Sequence, residues 1–248
     1  LHMVMKGKID GQQIADKVIE ELEQYSGEPR GKVILVGDNP ASETFVEQKR
    51  KLAEELDFGL EVESYPEEID HEELLEHVEK LSEDKDIDGI LVQLPLPGHI
   101  DEEELFDTIP PEKDIDGLTP ENLGKLVRGE PEIAPAAVEA VLEVLDHEEV
   151  EIEGKDVTIV NDSPLIGRPL AMALTERDAT VSLCHDNTED LGEKTREADI
   201  LVTAAGEHGL IDSDMVKGDS VVIDAGYEHG EGDIQEPDEI AEKALIAE

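Results

Sequence analysis

Residues 157–169 read VTIVNDSPLIGRP. Val157 to Val160 are apolar or β-branched, the composition of a buried strand. A polar, proline-containing turn follows, and Ile-Gly-Arg-Pro opens a helix with Gly167 and Pro169 in its first turn. Strand, turn and helix in this order is the setting of a dinucleotide site, where helix N-terminal amides meet a pyrophosphate. The turn departs from the glycine-rich pattern. Asn161 and Ser163 replace the first glycines of GxGxxG, and Asp162 adds a negative charge where phosphates are expected.

Working outward, apolar runs alternate with helical patterns along nearly the whole chain. Strands are expected at 32–37, 60–65, 89–94, 156–160, 180–184, 199–204 and 220–224. Helices are expected near 10–25, 42–57, 71–82, 101–108, 135–146, 166–176, 189–197 and 238–246. Such alternation predicts an α/β fold of parallel sheets covered on both faces. Three strands precede residue 120 and four follow residue 155, which predicts two α/β lobes. The Pro-, Gly- and charge-rich stretch 110–133 reads as the boundary, dividing the chain into 1–133 and 134–248. Ligands of open α/β sheets gather at the carboxyl ends of strands, which selects Gly37, Gln93, Asn161, His185, Gly206 and Gly226.

The chain has 248 residues, enough for two modest cores. With 66 acidic and 20 basic residues its formal net charge is −46, which disfavours binding to nucleic-acid phosphates. The acidic excess is spread over the chain, as expected of a protein adapted to molar salt: at about 1 M the Debye length is about 3 Å, and self-repulsion is screened. A single cysteine, Cys184, excludes an intrachain disulfide and fits a reducing cytoplasm. No apolar stretch reaches membrane-spanning length and no signal peptide is visible. The opening Leu-His-Met reads as an addition, with Met3 or Met5 as the natural start.

Lys49 is the first side chain that points to chemistry. Phe45, Leu52, Ala53 and Leu56 mark an apolar helix face, and at about 100° per residue Lys49 falls about 40° from Phe45. Desolvation of such an amine would make it a base near neutrality; the other reading is a lysine that snorkels past the rim. Gln93 ends an apolar strand before LPLPG, whose prolines force the chain out of the sheet; it can orient another side chain or cap loop amides. KDIDG occurs twice, at 85–89 and 113–117, without the further ligands of a calcium loop. Cys184 and His185 lack partners at metal spacing, so no metal site is expected; Cys184 reads as a packed strand residue.

In order and with matching spacing, VGDNPASETFVEQKRK, DGILVQLPLPG, PPEKDIDGLTPENLGKLVRG, SPLIGRPLA, TVSLCHDNT and SVVIDAGY resemble the bifunctional methylenetetrahydrofolate dehydrogenase/cyclohydrolase family, in a salt-adapted form of haloarchaeal type. The resemblance runs from about residue 8 to the end. It implies two α/β lobes around a cleft, the second a Rossmann-like NAD(P)-binding domain, and a homodimer. It also implies oxidation of 5,10-methylenetetrahydrofolate with NAD(P)+, then hydrolysis to 10-formyltetrahydrofolate. Lys49 takes the place of the family's catalytic lysine, Gln93 of the glutamine that tunes it, and Asp116 of the aspartate that grips the pterin. Phe45, Leu94 and Pro95 complete the folate-contacting set. Asn161, Asp162, Ser163, Ile166, Gly167, His185, Asp186, Ala205, Gly206 and Gly226 form the cofactor-binding set.

The sequence departs from the family pattern in places. Phe45 replaces a tyrosine, and EIAPAA at 132–137 keeps only Pro135 of a Pro-Cys-Thr-Pro-x-Gly segment. Relatives continue past the position of Glu248 into a Pro- and Gly-rich loop and a closing helix. NADP-using relatives carry an arginine and a serine where Asp162 and Asp186 stand; carboxylates there repel a 2′-phosphate and accept from a ribose hydroxyl, so NAD is expected over NADP. Two rival readings are a nucleotide-binding paralogue without turnover and another two-lobed dehydrogenase of a small acid.

Overall fold

The computed structural model describes residues 6–226 and 232–247. Met3, Met5, Tyr227 and Glu248 lie outside the described residues. The elements run β1 (Gly7–Lys8), α1 (Gly11–Leu22), β2 (Arg30–Val36), α2 (Pro40–Glu55), β3 (Gly59–Tyr65), α3 (His71–Glu83), β4 (Gly89–Val92), α4 (Glu102–Asp107) and α5 (Pro120–Val127). They continue with α6 (Ala136–His147), β5 (Asp156–Val160), α7 (Gly167–Glu176), β6 (Thr180–Cys184), α8 (Leu191–Glu197), β7 (Ile200–Thr203), β8 (Val221–Asp224), α9 (Pro237–Ala241) and β9 (Leu245–Ala247). The chain divides into two compact units, Lys17–Ala136 and Leu1–Asp16 with Ala137–Glu248.

In the unit Lys17–Ala136, β2, β3 and β4 form a parallel sheet in the order β3-β2-β4. The period of two divides the strands between two cores. Val33, Leu35 and Leu91 pack with Val46 of α2, whereas Ile34, Val36, Ile90 and Val92 pack with Leu74 and Val78 of α3. Each such aliphatic side chain taken fully from water contributes about 1.5–3 kcal/mol.

The stretch 110–133 is not a linker. It holds a 3-10 turn at Pro111–Lys113, a parallel bridge from Asp114 to Ile90, and α5, with Leu118, Thr119, Asn122 and Leu126 buried. Its prolines punctuate: Pro111 and Pro120 each sit in the first turn of a helix, where a missing N–H costs nothing.

The other unit is built on a six-stranded parallel sheet, β1-β9-β8-β7-β5-β6. Two of its strands were not expected. Gly7–Lys8 pairs with Leu245–Ile246, so the start of the chain joins this sheet. The helix expected at 238–246 stops at Ala241, and Leu245–Ala247 becomes a strand beside β8. The apolar run LIA suits either element, and the open sheet edge decides for strand by supplying backbone partners. Ile200, Leu201, Val202, Val222 and Ile246 are almost wholly buried, the expected state of central parallel strands.

Candidate active site

Strand β2 feeds the motif GDNPAS, which starts α2. Asn39 caps α2, its side chain accepting from Ala41 N at 3.0 Å and Ser42 N at 3.2 Å, and Pro40 occupies the first turn. The cap sets the helix register and hence where Lys49 points. The buried stripe differs from the expected one. Phe45 and Leu52 are exposed at 38% each, whereas Ser42 and Val46 are buried and Lys49 and Ala53 are half-buried. At about 100° per residue Lys49 falls about 20° from Ser42, so it lies on the sheet-facing side by a different neighbour set.

There Lys49 Nζ donates to Gln93 Oε1 at 3.3 Å. Gln93 is held at both ends: its backbone N–H continues the sheet to Ile34 O at 2.9 Å, and its side-chain amide donates to Leu94 O at 2.8 Å. With the NH2 committed to that carbonyl, the amide oxygen is turned to the lysine. Leu94 is half-buried and Pro95 exposed, joined by a cis peptide bond.

The second KDIDG copy runs parallel to the strand that the first copy leads into, since Ile115 N donates to Ile90 O at 3.1 Å. Asp114, 1% exposed, is spent on structure: it accepts from Thr119 N at 2.7 Å and Asn122 Nδ2 at 3.0 Å at the start of α5. Asp116 stays half-buried, and burial pushes its pKa up; the Lys49 ammonium opposes the rise and the Asp114 carboxylate adds to it. Gly117 has φ +66°, and a Cβ there would lie 2.6 Å from the Ala134 carbonyl carbon, so only glycine lets the backbone at Ala134 and Pro135 pass against the residue after Asp116. The structure thus brings Lys49, Gln93 and Asp116 together, and leaves Phe45 exposed on α2.

In the other unit the opening turn explains itself. Asn161 Oδ1 accepts from Ser163 N at 2.8 Å, Ser163 Oγ at 2.6 Å and Gly167 N at 3.1 Å, while its NH2 donates to Ala204 O at 2.7 Å. One amide side chain therefore closes the turn that glycines would otherwise shape. Gly167 packs directly on the Asn161 carbonyl, which a Cβ would overlap. Ile166 is buried at the N-terminal boundary of α7.

A cavity of about 330 Å³ opens at the carboxyl ends of β5, β6 and β7. Its lining includes the expected Asn161, Asp162, His185, Asp186 and Ala205, together with Cys184, Thr188, Leu191, Glu207 and Leu210. Ser163, Ile166, Gly167, Gly206 and Gly226 are not in its wall. Asp162, Asp186 and Glu207 make the lining acidic; among the described residues no lysine or arginine joins it, although Arg168 lies 3.7 Å from Asp162. Cys184 is buried in the core and its thiol is pushed up by desolvation. Glu207 was missed in the sequence, though it sits two residues beyond the selected Ala205; the strand-end rule signals the loop without saying how far along it the wall extends.

Two compact α/β units, one with an amine-amide-carboxylate cluster and one with a cavity at the strand ends of a parallel sheet, define the class of two-domain α/β proteins with a Rossmann-like second unit. The model of the tetrahydrofolate dehydrogenase/cyclohydrolase catalytic domain matches residues 6–116, and that of the family's NAD(P)-binding domain matches residues 135–246. The chain belongs to the tetrahydrofolate dehydrogenase/cyclohydrolase family. It is 43% identical over 231 residues to the bifunctional protein FolD of an Exiguobacterium species, covering 90% of this chain and 83% of the relative. The crystal structure of the bifunctional FolD enzyme from Campylobacter jejuni has a TM-score of 0.91 at 39% identity, over 97% of this chain and 90% of that one. That of the Trypanosoma brucei dehydrogenase-cyclohydrolase, complexed with NADP cofactor and inhibitor, has a TM-score of 0.91 at 34% identity, over 97% and 89%.

Proposed function

We propose that the chain oxidises 5,10-methylenetetrahydrofolate to the 5,10-methenyl form with NAD(P)+ and hydrolyses that product to 10-formyltetrahydrofolate. The observation that carries this reading is the Lys49–Gln93 hydrogen bond with Asp116 in electrostatic reach of the same amine. Lys49, half-buried, is placed to manage the proton of a water added to the cationic methenyl carbon. Gln93 holds the amine in one direction, and Asp116, pushed toward its neutral form by burial, suits hydrogen bonding to a pterin edge. Phe45 offers a ring for stacking, with Leu94 and Pro95 shaping the turn beside Gln93.

The cavity fits the ribose end of a nicotinamide dinucleotide, because its carboxylates accept from sugar hydroxyls and its floor is formed by strand ends. Asn161, Asp162, His185, Asp186 and Ala205 would hold it directly, with Ser163, Ile166, Gly167, Gly206 and Gly226 shaping the backbone around it. When bound, the dinucleotide supplies the hydride acceptor. Three acidic wall residues favour NAD over NADP. The net charge of −46 supports function in molar salt, the single cysteine fits a reducing cytoplasm, and the exposed Leu165, Met172 and Leu183, the last on the edge strand β6, support a homodimer.

The test is the rate of methenyl-tetrahydrofolate formation in about 2 M KCl, where surface charge is screened, with NAD and NADP in parallel and Lys49→Ala as control. Turnover with NAD at least as good as with NADP is the expected result. A folded chain without turnover on either cofactor refutes the reading in favour of a non-catalytic paralogue.

A further inference from the structure

The loop 205–207, whose Ala205 and Glu207 line the cavity, belongs to no helix or strand. Its backbone is held instead by one carboxylate from a distant part of the chain. Ala205 N donates to Asp233 Oδ2 at 2.6 Å and Glu207 N donates to Asp233 Oδ1 at 2.8 Å. Thr203, at the end of β7, donates its hydroxyl to the same Oδ2 at 2.5 Å. Between the two amides Gly206 is left-handed, with φ +67°, so the N–H groups converge as a concave nest for an anion. Here the anion is a side chain of the protein.

Asp233 is itself wholly buried and anchored. Its N–H donates to Asp224 Oδ1 at 3.1 Å, the N–H of Ile234 donates to Asp224 Oδ2 at 2.9 Å, and its carbonyl accepts from Ile211 N at 3.2 Å. Asp224 closes β8, so the two aspartates form a strut from the end of β8 to the loop after β7. A buried carboxylate is costly unless its oxygens are satisfied, and among the described residues these are satisfied by N–H and O–H donors. Space-filling alone would call for an apolar residue. A carboxylate presents two acceptor oxygens, so it can take Thr203 and Ala205 on one and Glu207 on the other.

We propose that Asp233 is a positioning residue for the nicotinamide dinucleotide: by filling the nest it fixes the Ala205–Glu207 wall and so sets dinucleotide affinity, without touching the folate chemistry. This rests on the reading that the cavity takes the dinucleotide.

The test is Asp233→Asn in the full chain, with NAD+ and NADP+ as probes. The amide offers one acceptor oxygen and turns an NH2 on the remaining donors. Both dissociation constants are expected to rise about tenfold, the effect of leaving a buried donor unpaired. The folate KM and the rate at saturating dinucleotide stay within about twofold, as positioning of cofactor alone requires. Amide exchange at Ala205 and Glu207 accelerates. Should this variant not fold, Thr203→Val removes one donor at nearly constant volume and is expected to weaken NAD+ binding about threefold. Unchanged NAD+ affinity in the folded variant overturns the role of Asp233. If NAD+ gives the parent chain no exchange protection over 204–210, the cavity reading fails and the proposal with it; protection in the parent with unchanged variant affinity removes the proposal alone.

Discussion

The Lys49 cluster and the Asn161–Asp233 framework each gather polar side chains around a strand end, Gln93 after β4 and Asn161 after β5, yet they use their hydrogen-bonding capacity in opposite ways. Asn161 and Asp233 spend theirs on backbone groups of their own unit. Among the described residues Lys49 makes one long bond to Gln93, and the half-buried Asp116 lies within its electrostatic reach. A satisfied network shapes a wall, whereas an incompletely satisfied one retains donors and acceptors for a substrate. The first arrangement should therefore fail in stability and binding, the second in rate.

The strongest way to break this contrast is Lys49→Ala. Loss of the proton-managing amine is expected to lower kcat for methenyl hydrolysis by about 10²–10⁴, with little change in unfolding midpoint, as steady-state kinetics and thermal melts will check. Equal losses in stability and rate would make Lys49 a structural residue. Asn161→Ala is expected to do the reverse. It orphans Gly167 N–H and the Ala204 carbonyl and should cost about 2 kcal/mol of folding free energy by urea titration, while folate KM is unchanged.

A smaller effect sharpens the electrostatic side. Replacing Asp162 and Asp186 together by serine should raise NADP over NAD preference about fivefold in dilute buffer, and less in about 2 M KCl, because exposed charges are screened. A salt-independent ratio would mean that shape, not charge, selects the cofactor.

The smallest effect is thermodynamic. Burial raises the Asp116 pKa in the fold above its unfolded value, so its contribution to stability is fully present below the unfolded pKa, about 4, and is lost as pH rises through the folded pKa. Asp116→Asn removes that loss. Its melting temperature at pH 7 is expected to exceed the parent's by on the order of 2 °C, with the gain vanishing below about pH 4 and turnover reduced.

Lys49 illustrates how a residue can be placed on the sheet-facing side of a helix through the wrong neighbours. Helical spacing selects it because a lysine within about 40° of an apolar residue is conspicuous, but the apolar residues chosen, Phe45 and Leu52, are exposed. Helix period reveals which residues share a face and does not reveal which of two overlapping faces meets the sheet. Gln93 and Gly167 were legible because a strand end and a helix start are local events. Asp233 was not, since the donors to its carboxylate lie 26 to 30 residues away.

By itself the sequence determined the alternation of strands and helices, the motifs that carry the family, and a large acidic excess. These depend on side-chain period, turn residues and composition, all of which act over a few neighbours. Tertiary structure alone decided that Gly7–Lys8 and Leu245–Ala247 extend the second sheet, that 110–133 packs as part of the first unit, and that two buried aspartates hold the wall of the cavity. Pairing across a sheet and convergence of distant donors on one carboxylate carry no local signature, because their free energy arises only when remote segments meet.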